Sequence, residues 1–103
     1  MIYQVIKHEY DSDDGHYDSD PVDDLVYANE ADAILVRNGL NKYSIFEYNT
    51  MIRRHAERRD DRDKYLEKAL CKFDPTDVDA IENWAGRSHS LTYFTINTLR
   101  LFK

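Results

Sequence analysis

Residues 29–49, "NEADAILVRNGLNKYSIFEYN", decide how this chain is to be folded on paper. The first part predicts a helix: Asn29 stands at an N-cap, Glu30 and Asp32 fall in the first turn, and Ala31, Ile34 and Leu35 fall inward. Gly39 follows the last periodic residue as a C-cap. The second part, "KYSIFEYN", alternates Tyr43, Ile45 and Glu47 against Ser44, Phe46 and Tyr48, the period of a strand. Asn49 or Thr50 is then free to cap a second helix.

Before this stretch, "IYQVIKHEY" (2–10) is rich in β-branched and aromatic residues, with Ile2 and Ile6 on one face and Tyr3 and Val5 on the other, a strand covered on both sides. "DLVYA" (24–28) predicts a short second strand. After it, "MIRRHAERRDDRDKYLEKALCKF" (51–73) carries Ile52, Ala56, Leu66, Leu70 and Phe73 at helical spacing. Arg59 and Asp63 interrupt that apolar stripe. Either one long helix projects its middle turns beyond the core, the reading taken here, or it bends near "ERRDDRD". "DPTDVDAIENWAG" (74–86) predicts a third helix with Asp74 as N-cap, Pro75 at the first position and Gly86 beyond the end; Trp84 serves as a core anchor. "SLTYFTINTLRLF" (90–102) closes the chain as a strand. The expectation is one α+β domain over residues 1–103: a small mixed or antiparallel sheet of about four strands with three helices, in the order ββαβααβ.

With 103 residues, 42% hydrophobic and 33% charged, the composition is that of a small globular domain. No stretch approaches the roughly 20 apolar residues of a membrane span, and "MIYQVIKHEY" lacks the apolar run of a signal peptide, so a cytoplasmic protein is expected. Cys71 is the only cysteine, which excludes an internal disulfide and a thiolate-rich zinc site; a buried, inert thiol is expected.

The charge is segregated. Residues 1–34 hold one basic and ten acidic side chains, hence −9; the other 69 hold 13 basic and 10 acidic, hence +3, which together give the net −6. Most of the acid lies in "EYDSDDGHYDSDPVDD" (9–24), eight carboxylates with one histidine. As a helix–loop–helix calcium site it fails in either register: from Asp11 the fifth position is Gly15 and the twelfth Val22, and from Asp18 these are Val22 and Asn29. His8, His16, His55 and His89 have no paired spacing for zinc. No Gly-x-Ser-x-Gly elbow or Cys–His signature supplies a nucleophile, and no glycine is left for a phosphate cradle. Neither a catalytic site nor a cofactor is therefore expected. The alternative is a small metal-dependent domain or enzyme that uses the Asp-rich segment.

Two surfaces remain as candidates. The first is a protein-docking face of Tyr10, Asp11, Asp13, Asp14, Tyr17, Asp18, Asp20, Asp23 and Asp24, in which the acids meet a basic partner and the tyrosines anchor it; the bland counterpart is a solvated loop. The second is the ridge Arg54, Arg58, Arg62, four residues apart on the second helix, interleaved with acids as in a solvated, salt-bridged helix. The partner expected is a protein with a basic surface or a ribonucleoprotein complex. Free DNA and membranes are not expected as partners, and a sheet edge at 2–10 or 91–102 would allow a homodimer.

The layout of "YQVIKHEYDSDDG", "DDLVYANEADAILV" and "YSIFEYN", over residues 2–49, resembles that of small bacteriophage accessory proteins: a strand, a hydrophilic excursion, a strand-to-helix turn and a returning strand. That resemblance implies a binding protein of the host-takeover or anti-defence kind, an inhibitor rather than an enzyme.

Overall fold

The computed structural model describes residues 1–87 and 90–100. Three strands, β1 (Ile2–Asp11), β2 (His16–Tyr27) and β3 (Tyr93–Leu99), form an antiparallel sheet in the order β2-β1-β3. Three helices, α1 (Glu30–Ala56), α2 (Arg62–Ala69) and α3 (Val78–Ala85), lie between β2 and β3 in the chain. The class is α+β as expected, but the order is ββαααβ, with three strands instead of four.

The missing strand is "KYSIFEYN", which belongs to α1. Gly39 is no cap: the helix passes through it and continues to Ala56, and the side chains of Ala33, Asn41, Ile45, Ile52 and Ala56 are buried along it. What the alternating pattern concealed is a polar seam facing inward. The Asn41 amide donates to the Phe94 carbonyl (3.1 Å) and accepts from the Phe94 N–H (2.7 Å), while the Ser44 hydroxyl donates to the Thr92 carbonyl. Asn41 thus trades two hydrogen bonds with β3 as a neighbouring strand would, and α1 lies where a fourth strand would pair, covering that edge. Asn49, read above as a possible cap, does the same for Cys71, with bonds of 2.9 and 2.8 Å to its carbonyl and N–H. Thr50 donates to the Phe46 carbonyl one turn back.

The long helix expected over 51–73 is broken. Backbone bonds from Arg58 to the His55 carbonyl and from Arg59 to the Ala56 carbonyl tighten the end of α1. Arg59 then grips Asp61 in a two-pronged ion pair (2.8 and 3.1 Å) and lays its guanidinium over the Tyr65 ring, so the turn is held by its own charges. Arg59 and Asp63, the residues that interrupt the apolar stripe, flank this turn, Asp63 in the first turn of α2; they mark the bend rather than a projecting middle. The third helix is shorter than expected: Asp77, not Asp74, caps it through the Ala80 N–H, and Asp74 instead accepts from the Thr76 N–H and hydroxyl in the preceding turn. Gly86 does follow its end.

The core joins α1, α3 and β3 through Ile45, Cys71, Ile81, Ala85, Leu91 and Tyr93. Tyr17, Tyr48 and Trp84 pack against it, with Trp84 edge-on to Tyr48 and Phe73. Cys71 is buried, and burial pushes its thiol pKa up, so the thiolate is disfavoured. Strand β1 is the middle strand, so residues 2–10 offer no edge for a second chain; the stretch 101–102 expected in the last strand, and Ser88 and His89, lie outside the described residues.

Candidate functional site

The acidic segment is a hairpin. Strands β1 and β2 pair from Asp11↔His16 down to Ile6↔Pro21, connected by Ser12–Gly15, where Gly15 takes the left-handed φ of 74° that the turn requires and donates to the Asp11 carbonyl. The second strand therefore begins eight residues earlier than "DLVYA" suggested. Beyond Pro21 the pairing slips: Val5 of β1 faces the four residues Val22–Leu25 of β2, with Asp24 at φ 66°. This bulge lifts Asp23 and Asp24, both exposed, out of the regular ladder.

Because neighbouring residues of a strand point to opposite faces, the pairing register sorts the candidates. One face carries Lys7, Glu9, Asp18 and Asp20, all exposed; Glu9 is paired directly across from Asp18 and Lys7 from Asp20. Lys7 Nζ leans along its strand to Glu9 (2.7 Å), and His16 Nε2 lies 3.2 Å from Asp18. Lys7, Glu9, Asp18 and Asp20 wall a shallow depression together with Tyr10, Asp11 and Ser12. Asp13 and Asp14 project at the tip, but Asp11 does not: its carboxylate accepts from the Asp13 N–H (2.9 Å) and, more loosely, from the Asp14 N–H (3.4 Å), which commits it to the turn.

Tyr10 and Tyr17 point to the other face. Their rings meet edge-on at 5.5 Å, and Tyr17 reaches on to Tyr93 and donates its hydroxyl to the Leu91 carbonyl (2.9 Å). Burial first, and then the neighbouring tyrosines, push the Tyr17 pKa up to about 12. Tyr17 holds the hairpin to the core and is not displayed beside the acids. The structure thus brings together Asp18 and Asp20, adds Glu9, keeps Asp13, Asp14, Asp23 and Asp24 exposed, leaves Tyr10 exposed and lining the same depression, and separates off Tyr17.

The same inner face holds a residue that sequence reasoning passed over. His8 bridges all three strands: Nδ1 lies 2.7 Å from Ser19 Oγ on β2, Nε2 lies 2.7 Å from Thr95 Oγ1 on β3, and the ring stacks on Tyr93 at 4.6 Å. Burial holds its pKa below the usual 6.5, with the Glu82 carboxylate pulling the other way. A neutral ring, with one nitrogen donating and the other accepting, satisfies both hydroxyls. The signal was present in strand alternation, which puts His8 beside Tyr10 and opposite in sense to Lys7 and Glu9.

The arginine ridge is divided by the helix break. Arg54 lies on α1 and Arg58 in the turn, both lining a shallow depression with Phe46, Thr50 and Met51, whereas Arg62 opens α2 beside a different one. Among the described residues, no three His, Cys, Asp or Glu side chains are grouped to hold a metal ion, and no helix is long and apolar enough to cross a membrane. Comparison with protein-family models, curated proteins and solved structures gives no match.

Proposed function

We propose that this protein is a non-catalytic, cytoplasmic binding module whose acidic hairpin face occupies a basic surface on a partner protein or ribonucleoprotein complex and blocks it. Glu9, Asp13, Asp14, Asp18 and Asp20 make the face, with Asp23 and Asp24 beside it. One observation carries the reading: Glu9 and Asp18, like charges, are direct cross-strand partners on an exposed face. Such a pair destabilises a sheet, and a basic surface laid over it would relieve the repulsion. Exposed carboxylates on two paired strands suit a basic groove that otherwise takes nucleic acid, the mode of action of a phage-type inhibitor.

The test is capture from bacterial lysate with the tagged protein and with a variant carrying Glu9→Gln, Asp13→Asn, Asp14→Asn, Asp18→Asn and Asp20→Asn. Asp11 is left in place because it holds the turn. A basic partner is expected with the unaltered protein only. Titrated as a purified protein, that partner should bind the variant about a hundredfold more weakly, and salt should weaken its binding to the unaltered protein. Equal binding of the same partner by both proteins would overturn the proposal.

A further inference from the structure

Helix α1 buries Ile45 and Ile52 beside its polar seam but turns four other large side chains to solvent. Leu35 is 76% exposed, Tyr43 62%, Phe46 65% and Met51 44%. From Leu35 the outward stripe runs through Gly39, Tyr43, Phe46 and Thr50 to Arg54, in steps of four, four, three, four and four. Those steps repeat every eleven residues, about 3.67 per turn, so the stripe stays nearly in line along a straight helix. We propose that this face pairs with the same face of a second copy, the two α1 helices antiparallel about a two-fold axis beside Tyr43.

The occupant is identified by charge and by spacing. The first turn of α1 is acidic, with Glu30 and Asp32, and the last is basic, with Arg53, Arg54 and His55. Among the described residues none of these makes an ion pair within the chain. Asp32 and Arg54 stand eleven residues either side of Tyr43, and Leu35 and Met51 eight either side. An antiparallel pair centred there sets Asp32 against Arg54 of the second copy at both ends and opposes the two helix dipoles. It also sets Leu35 into the depression walled by Phe46, Thr50, Met51 and Arg54 of the second copy. A parallel pair would place acid on acid and base on base.

Gly39 fits the same arrangement. A glycine inside a helix is a cost, and a Cβ at Gly39 would meet nothing within 4 Å in its own chain. Nothing in the single chain requires it. Across the two-fold it falls level with Glu47 of the second copy, one residue on from Phe46, whose ring then finds a notch in the facing helix. A single helix pair of this length is at the small end of stable interfaces, so the dimer is expected at micromolar strength.

The test is sedimentation of the full chain from roughly 10 to 300 µM, a range that brackets micromolar dissociation constants. A concentration-dependent dimer is expected, and Phe46→Glu, at an exposed position, should leave a monomer with unchanged circular dichroism. Asp32→Arg and Arg54→Asp should each weaken the dimer about tenfold, and the two combined should restore it. Within one chain the two positions are about 33 Å apart along the helix, so that rescue reports a contact between copies. A monomer throughout the range, a dimer indifferent to Phe46→Glu, or a charge swap without rescue would each overturn the proposal.

Discussion

Two side chains, Asn41 and His8, act on the sheet in different ways: Asn41 ties α1 to the backbone of β3, and His8 spans all three strands. Asn41 is 1% exposed, and its amide satisfies both polar groups of Phe94. Asn41→Ala removes both bonds and leaves a buried N–H and C=O without partners, so a loss of about 3 kcal/mol in urea unfolding is expected. Asn41→Leu should be no better, because filling the space does not answer the two backbone groups. For His8 the effect depends on pH. In the unfolded chain the ring titrates near its usual 6.5, and in the folded chain lower. Between those values the unfolded chain binds more protons, so this contribution is complete above about 6.5 and is lost as the pH falls below it. The melting temperature should therefore drop between pH 7.5 and 5.5, and His8→Gln should drop less over the same interval.

At the scale of elements, the sequence disclosed β1, β3, the third helix and the start of α1 behind its Asn29 cap, and concealed the continuation of α1 past Gly39, for a physical reason. A helix shows itself when apolar residues share the inner face. In α1 the inward positions include Asn41, Ser44 and Asn49, while Leu35, Tyr43 and Phe46 face outward, so the period of 3.6 cancels and a period of two can be read into what remains. Gly39 deepened the misreading, since a glycine after a helical run is the ordinary C-cap. The acidic hairpin was half legible: Glu9 and Asp24 fell inside expected strands, but the carboxylates between them read as loop because strand propensity disfavours aspartate. Which acids share a face depended on register, and the separation of Tyr17 from them needed the pairing itself. One consequence can be measured at this scale. Gly39→Ala places a methyl in open space within a helix, and should raise stability by about 1 kcal/mol at protein concentrations low enough to keep the chain monomeric.

For the whole molecule, charge segregation and shape act together. The chain extends over 61 × 29 × 20 Å, and its sequence places net −9 in residues 1–34 and net +3 in the rest. Within the sheet, Glu9 and Asp18 are like charges placed directly across from each other, with Lys7 and His16 beside them, and on the proposed reading their repulsion outweighs those contacts in the free protein. Neutralising either acid should therefore make the free protein more stable while making it a poorer binder, the opposite of what a structural ion pair would do. Glu9→Gln or Asp18→Asn is expected to raise the melting temperature by about 1–3 °C at low salt. The gain should fade as salt screens the repulsion, with a Debye length of about 10 Å at 0.1 M and 3 Å at 1 M. Differential scanning calorimetry at those two salt concentrations separates the cases. A rise at low salt that vanishes at high salt identifies stored repulsion; a fall at both would mean that Glu9 and Asp18 support the hairpin through Lys7 and His16, and the acidic face would then be explained by the fold alone.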